Sequence, residues 1–292
     1  MHCIDRSGRE VTAKDTPTGL LRILYCSAAG RLMLPCLTRP GLSDFTGRLL
    51  DTGASRILNR AFIRRQGIDM SEYEPGPYRS FNELFRRRIR AGARPVDGTE
   101  DTVVSPCDGR LQVFPIGDSA EFEIKGISYT MEQLLRDPVL AEKYCGGTLM
   151  LFRLGVSDYH RYIYPVSGEE GAAVRLDGIL NTVSPVATER RPVYRENIRE
   201  YTRIETAAYG SVLMMEIGAL LVGRIVNVHP QGPVRRGEEK GYFEFGASSI
   251  LLCFEKNAVV PDQELLKNTA AGYETLVRQG ERVGCARAEA GE

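Results

Sequence analysis

Three residues far apart in the chain have the types needed for an acyl-transfer centre: Asp108 in Val103-Val104-Ser105-Pro106-Cys107-Asp108-Gly109, His160 in Ser157-Asp158-Tyr159-His160, and Ser248 in Gly246-Ala247-Ser248-Ser249. A serine hydroxyl is a poor nucleophile until a base takes its proton, and a carboxylate commonly orients that base. Histidine is the side chain that exchanges protons near neutral pH. Each stretch also has a plain structural reading. Asp-Gly is a common hairpin turn, and a histidine among tyrosines can be a hydrogen-bonded core residue. No Gly-x-Ser-x-Gly elbow is present, so an α/β-hydrolase is not indicated.

The third stretch is the odd one. Tyr242, Phe243 and Phe245 read as strand, and so do Ile250 to Phe254. Between them sit Gly246, Ala247, Ser248 and Ser249. A strand gains nothing by exchanging aromatic cover for Gly and Ala. Small residues do permit sharp backbone geometry and close approach by other groups.

These residues need a scaffold, and the 292-residue chain is long enough to build one. Apolar content of 42% and charged content of 26% are those of an ordinary globular protein. The net charge is zero, so no global field points to nucleic acid. Residues 1–100 nevertheless hold 17 Lys/Arg against 11 Asp/Glu. Seven scattered cysteines, with no Cys-x-x-Cys pair, suit a reducing compartment. Three histidines give no zinc-site spacing, so no metal is expected. The polar start has no apolar h-region, and no stretch is long and apolar enough to span a bilayer.

Residues 16–66 read as basic amphipathic helices, interrupted by Pro35 and Pro40, of the kind that lies on a bilayer or packs on a core. A third helix is predicted from Ser80, with Glu83 completing a capping box, to Pro95; its arginines Arg86, Arg87, Arg88 and Arg90 fall mostly on the outer face. From Thr102 short β-rich runs alternate with turns, among them Gly171–Leu180, Leu220–Val228 and Gly241–Glu255. The expected fold class is α+β: an N-terminal helical, membrane-facing segment (1–98), a β-rich antiparallel catalytic domain (99–260), and a C-terminal helix with a polar tail (261–292).

Taken together, six stretches in this order resemble the phosphatidylserine decarboxylases, which are pyruvoyl-dependent: "FNELFRRR", "VSPCDGR", "DYHRYIYPVSG", "RPVYRENIREY", "MEIGALLVGRI" and "RGEEKGYFEFGASSILLCFEK". The resemblance runs from about Ser80 to Val260. It implies self-cleavage between Ala247 and Ser248, into a large chain Met1–Ala247 and a small chain Ser248–Glu292. Ser248 would become a covalent pyruvoyl group, with His160, oriented by Asp108, as the base. The implied reaction is decarboxylation of phosphatidylserine to phosphatidylethanolamine by an enzyme at the cytoplasmic face of an anionic membrane. Nucleic acid has no part in it, and a homodimer is compatible with it.

Two departures from the family pattern stand out. Many members carry a second histidine three residues after the first, where this chain has Ile163, so His229 or a tyrosine could have to assist His160. Members usually show Gly where this chain has Ala247. Three other readings stay open: an intermolecular serine hydrolase, a β-rich lipid-binding or carrier module (Lys240, in a charged turn, does not fit the carrier), and an unprocessed relative that only binds acidic phospholipid.

Overall fold

The protein is described from a computed structural model, which covers residues 2–11, 18–220 and 224–287. Among these residues the main sheet has eleven strands. Its centre is the strand Ser248–Phe254, paired antiparallel on one side with Gly210–Ile217 and on the other with Thr148–Leu154. Outward from Gly210–Ile217 come Arg199–Thr206, then Gly168–Glu170 and Gly232–Val234. Outward from Thr148–Leu154 come Gly109–Pro115, Glu274–Val277, Cys3–Ile4 and Glu10–Val11. Every residue of Ser248–Phe254 is buried, because both faces of the sheet are covered. That explains why its sequence is a continuous apolar run instead of an alternating one. Leu251 and Cys253 face a core with Tyr129, Leu134 and Tyr194. Ile250 and Leu252 face a second core with Tyr162 and Phe243.

The expected Gly241–Glu255 strand is two strands in two sheets. Glu239–Phe243 belongs to a small sheet with Ile225–Asn227 and Arg161–Ile163. Gly246 makes the turn between the sheets at φ 133°, a conformation that a side chain would disfavour. Gly171–Leu180 is strand only over Val174–Leu176. Of Leu220–Val228, Ile225–Asn227 is strand, while 221–223 lie outside the described residues.

The N-terminal helices are α1 (Thr18–Cys26), α2 (Ala28–Leu37), α3 (Pro40–Leu50) and α4 (Ile57–Gln66). Pro35 does not break α2, which continues through it to Leu37. Pro40 starts α3, where its missing N–H costs nothing. Tyr25 ties α1 to the core, its hydroxyl accepting from the Thr182 N–H at 3.0 Å. Much apolar surface on these helices stays uncovered: Leu32 is 82% exposed, Phe45 66% and Ile57 84%. No helix among the described residues is long and apolar enough to cross a membrane.

Several expectations about the elements fail. The helix after Ser80 covers only Phe81–Phe85 (α5). Ser80 does accept from the Glu83 N–H, but Glu83 reaches back to Arg79 instead of Ser80. Arg87 is not on an outer face; its guanidinium is buried over the Tyr73 ring, 4.2 Å from the centroid. The N-terminal region is not wholly helical either, since Cys3–Ile4 runs parallel to Glu274–Val277. After the helix Gln263–Ala270 the chain is no polar tail: Glu274–Val277 and Arg282–Ala286 are strands within the body of the fold. Residues 288–292 of that tail lie outside the described residues.

Candidate active site

Ser248 opens the central strand, where the main sheet receives the chain from the small sheet. Ser249 stands opposite Arg153 on one neighbouring strand and Ile217 on the other. Side chains alternate along a strand, so Ser248 shares the Ile250 face and Ser249 the Leu251 face. Both hydroxyls are fully buried and neither makes a well-formed hydrogen bond among the described residues, although the Tyr194 hydroxyl lies near Ser249. A buried unpaired polar group costs about 1–3 kcal/mol, and two in succession mark this as an unusual strand start. Ala247 does not have positive φ; Gly246 carries that conformation instead. The methyl group at position 247 therefore sits on ordinary backbone, packed against the Leu251-side core.

His160 reaches the same region through the backbone. The Phe243 N–H donates to the His160 carbonyl at 2.9 Å, which places His160 across from the last residues before the turn. The ring is fully buried, 4.2 Å from the Phe85 ring and beside the Gly246 backbone. Its Nδ1 lies 2.9 Å from the Asp158 carbonyl oxygen. A carbonyl only accepts, so Nδ1 carries the hydrogen and Nε2 is left with a bare lone pair. That Nε2 is buried and makes no well-formed hydrogen bond among the described residues, with the Gly246 backbone beside it. Burial pushes the ring down to about 3, so it is neutral at ordinary pH. The site thus contains a buried hydroxyl without a well-placed acceptor and a buried ring nitrogen without a well-placed donor, though no hydrogen bond joins them in the uncut chain.

Asp108 is not what orients His160 in this conformation. Its carboxylate accepts from Arg94 Nε at 2.9 Å, from Arg94 Nη2 at 2.7 Å and from the Gln279 N–H at 2.8 Å. Arg94 extends the chain of charge to Glu72 at 3.0 Å. The orienting acceptor is the Asp158 carbonyl. Arg110 and the Gly155 N–H, each 2.6 Å from the Asp158 carboxylate, hold that residue in place. Arg87 braces the same turn through the Ser157 carbonyl at 3.3 Å. Asp158, Arg87 and Phe85 lay within quoted motifs, but a role exercised through a carbonyl or by burial leaves no mark in residue type.

Ile163, His229 and Lys240 are each engaged in contacts of their own. Ile163 is buried strand, its N–H donating to the Pro106 carbonyl at 2.9 Å. His229 is engaged with Glu238 at 3.3 Å and with the Pro230 carbonyl at 2.6 Å. Lys240 is not in a charged turn but buried in strand, 2.9 Å from Glu216 and 3.5 Å from Glu170. Burial raises Glu216 to about 7, against the pull of Lys240.

A cavity of about 370 Å³ reaches the backbone at Gly246 and Ala247. Phe62, Phe81, Val156, Leu220 and Phe245 form much of its wall. Phe81 sits edge-on to both Phe62 and Phe245, at 5.0 and 4.9 Å. This aromatic cluster fixes the approach to the Gly246 turn. Leu58 both lines the cavity and is exposed, so the cavity opens at the uncovered apolar surface of α4.

Comparison with known proteins agrees with the order of motifs. A family model described as phosphatidylserine decarboxylase matches residues 81–285. A phosphatidylserine decarboxylase proenzyme from Clostridium acetobutylicum is 38% identical over 272 residues, covering 93% of each chain. One from Fusobacterium nucleatum is 38% identical over 285 residues, covering 96% of this chain and 95% of its own. A third, from Ruminiclostridium cellulolyticum, is 38% identical over 271 residues, with 91% and 90% covered. With the match extending over most of its length, the chain belongs to the phosphatidylserine decarboxylase family.

Proposed function

We propose that the chain is a proenzyme that cuts itself between Ala247 and Ser248 and then decarboxylates phosphatidylserine to phosphatidylethanolamine. The observation that carries this is the pairing of orphans: a buried Ser248 hydroxyl at the head of the central strand, and a neutral His160 whose Nε2 is the bare nitrogen. In the cleavage step Nε2 takes the hydroxyl proton. The Ser248 oxygen then bonds to the Ala247 carbonyl carbon and the Ala247–Ser248 C–N bond breaks, with the proton passing to the freed nitrogen. The product is an ester. Loss of the Ser248 α-hydrogen expels the Ala247 carboxylate and leaves a dehydroalanine. Water converts this to a pyruvoyl group and ammonia.

The fold suits such a cut. The new chain end would begin at a strand paired from Ser248 to Phe254 with Thr148–Leu154 and over five residues with Gly210–Ile217. Pairing on both sides, with full burial, retains the strand after its covalent link is lost. The residues fit a pyruvoyl group at position 248, whose ketone condenses with an amine and takes up the electrons released with carbon dioxide. The chain's own part is to exclude water with Phe62, Phe81 and Phe245 and to exchange protons at His160 Nε2. A carrier would need an exposed lysine, and Lys240 is buried.

The exposed apolar residues Leu32, Phe45 and Ile57, set among Arg31, Arg48, Arg56 and Arg60, favour peripheral docking on an anionic bilayer. The cavity mouth at Leu58 would then open toward the lipid.

Intact-mass measurement tests the proposal. The expected result is two chains, Met1–Ala247 and Ser248–Glu292, the smaller blocked by a ketone that reacts with amines. A single uncut chain of unmodified mass overturns it.

A further inference from the structure

Among the described residues, the cavity beside Gly246 and Ala247 has one charged residue in its lining, Arg65. The remainder of the wall is apolar or neutral. Arg65 lies in the last turn of α4, is exposed, and makes no ion pair among the described residues. A helix C-terminus is itself negative, so any affinity for an anion there must come from the side chain. A guanidinium at the rim of an apolar cavity has the chemistry of a phosphodiester anchor, since its fork matches two phosphate oxygens while the apolar wall takes the uncharged parts. We propose that Arg65 is a specificity-determining residue that holds the phosphate of the phospholipid headgroup, with the serine carbon directed toward position 248. This assignment rests on the function proposed above and extends it to a particular subsite.

The shared cavity favours the arrangement. Arg65 and Ala247 line one continuous cavity, which at about 370 Å³ lies in the range of small-ligand pockets. The acyl chains would stay outside, against the exposed faces of α3 and α4, where Phe45, Leu49 and Ile57 are uncovered. Self-cleavage is intramolecular and needs no lipid, so it should not depend on Arg65.

The test uses full-length protein, with phosphatidylserine dispersed in micelles of an uncharged detergent. Arg65→Ala is expected to complete self-cleavage by mass, to raise KM about tenfold, as loss of a charge-assisted contact does, and to change kcat less. Arg65→Lys should recover part of the loss, because a point charge replaces the fork. Glycerol phosphate should inhibit the wild type competitively and Arg65→Ala more weakly by a similar factor. An unchanged KM and unchanged inhibition overturn the assignment. So does a loss seen only on anionic vesicles, which would make Arg65 a membrane contact. A wild-type chain that never cuts overturns the proposed function itself and is read separately from these outcomes.

Discussion

The Asp108 carboxylate is closed on the Arg94 guanidinium by contacts of 2.7 and 2.9 Å, and not on His160. The Arg94 side chain is largely buried and that of Asp108 mostly so, so each has little access to bulk water if the other is removed, although Arg94 would keep Glu72. Breaking such a pair from one side leaves an uncompensated charge, whereas removing both ends does not. Asp108→Ala and Arg94→Ala should each destabilise the fold by about 1–3 kcal/mol, reduced from fully buried cases because some exposure remains. The double variant should lose clearly less than the sum. Urea unfolding of all four proteins measures this, and strict additivity would refute the coupling.

The register at the cut site separates two adjacent serines. Ser248 and Ser249 face opposite sides of the sheet. Ser248→Ala should abolish both cleavage and decarboxylation, since alanine has no nucleophile. Ser248→Cys should still cut, slowly. Ser249→Ala should cut normally and be as stable as wild type or slightly more so, because the lost hydroxyl is buried and makes no well-formed hydrogen bond. Mass analysis after expression reads cleavage directly. Loss of cutting in Ser249→Ala would mean that the nucleophile had been placed one residue too early.

His160 carries a pH signature. Its unfolded value is about 6.5, and burial lowers the folded value to about 3. Between these limits the unfolded chain holds more protons, so this group makes stability fall as pH falls from 6.5, by up to about 1.4 kcal/mol per pH unit. Above 6.5 it contributes no slope. In a Ser248→Ala background, which keeps the chain uncut, unfolding free energy between pH 6 and 4 should therefore fall less steeply once His160 is replaced by Gln. With Ser248 present, His160→Gln should slow self-cleavage by about 10²–10⁴-fold, the usual worth of a general base. Equal pH slopes in the two backgrounds would show that the ring titrates normally and is not buried as described.

The motifs around Asp108, His160 and Ser248 were legible because each interrupts a local pattern: a turn after an apolar strand, a histidine at an aromatic strand start, small residues between two strands. What could not be read was decided by tertiary contact. Arg86, Arg87 and Arg88 are alike in sequence, yet Arg87 is the buried one, because the Tyr73 ring and the Ser157 carbonyl meet it there. The Asp158 carbonyl orients His160 through the backbone, which residue type does not reveal. Glu274–Val277 looked like tail because its partners are remote: Gly109–Pro115 on one side and Cys3–Ile4 on the other. Local periodicity carries no information about such pairings.

Membrane docking makes the last prediction. Phe45 and Ile57 are among the most exposed large apolar side chains, on α3 with Arg48 and on α4 with Arg60, Arg64 and Arg65. Burying a side chain of this size is worth about 1.5–3 kcal/mol, and partial insertion at an interface yields less. Phe45→Ser with Ile57→Ser should therefore weaken binding to vesicles of anionic lipid by at least about tenfold. The thermal midpoint should barely move, since exposed side chains contribute little to the fold. The arginines act through a screened field, so raising salt should weaken binding of wild type and double variant by the same factor. The apolar and electrostatic parts can then be separated in a vesicle co-sedimentation series at low and high salt. If the double variant sediments with vesicles as well as wild type does, the uncovered face of α3 and α4 is not the docking surface.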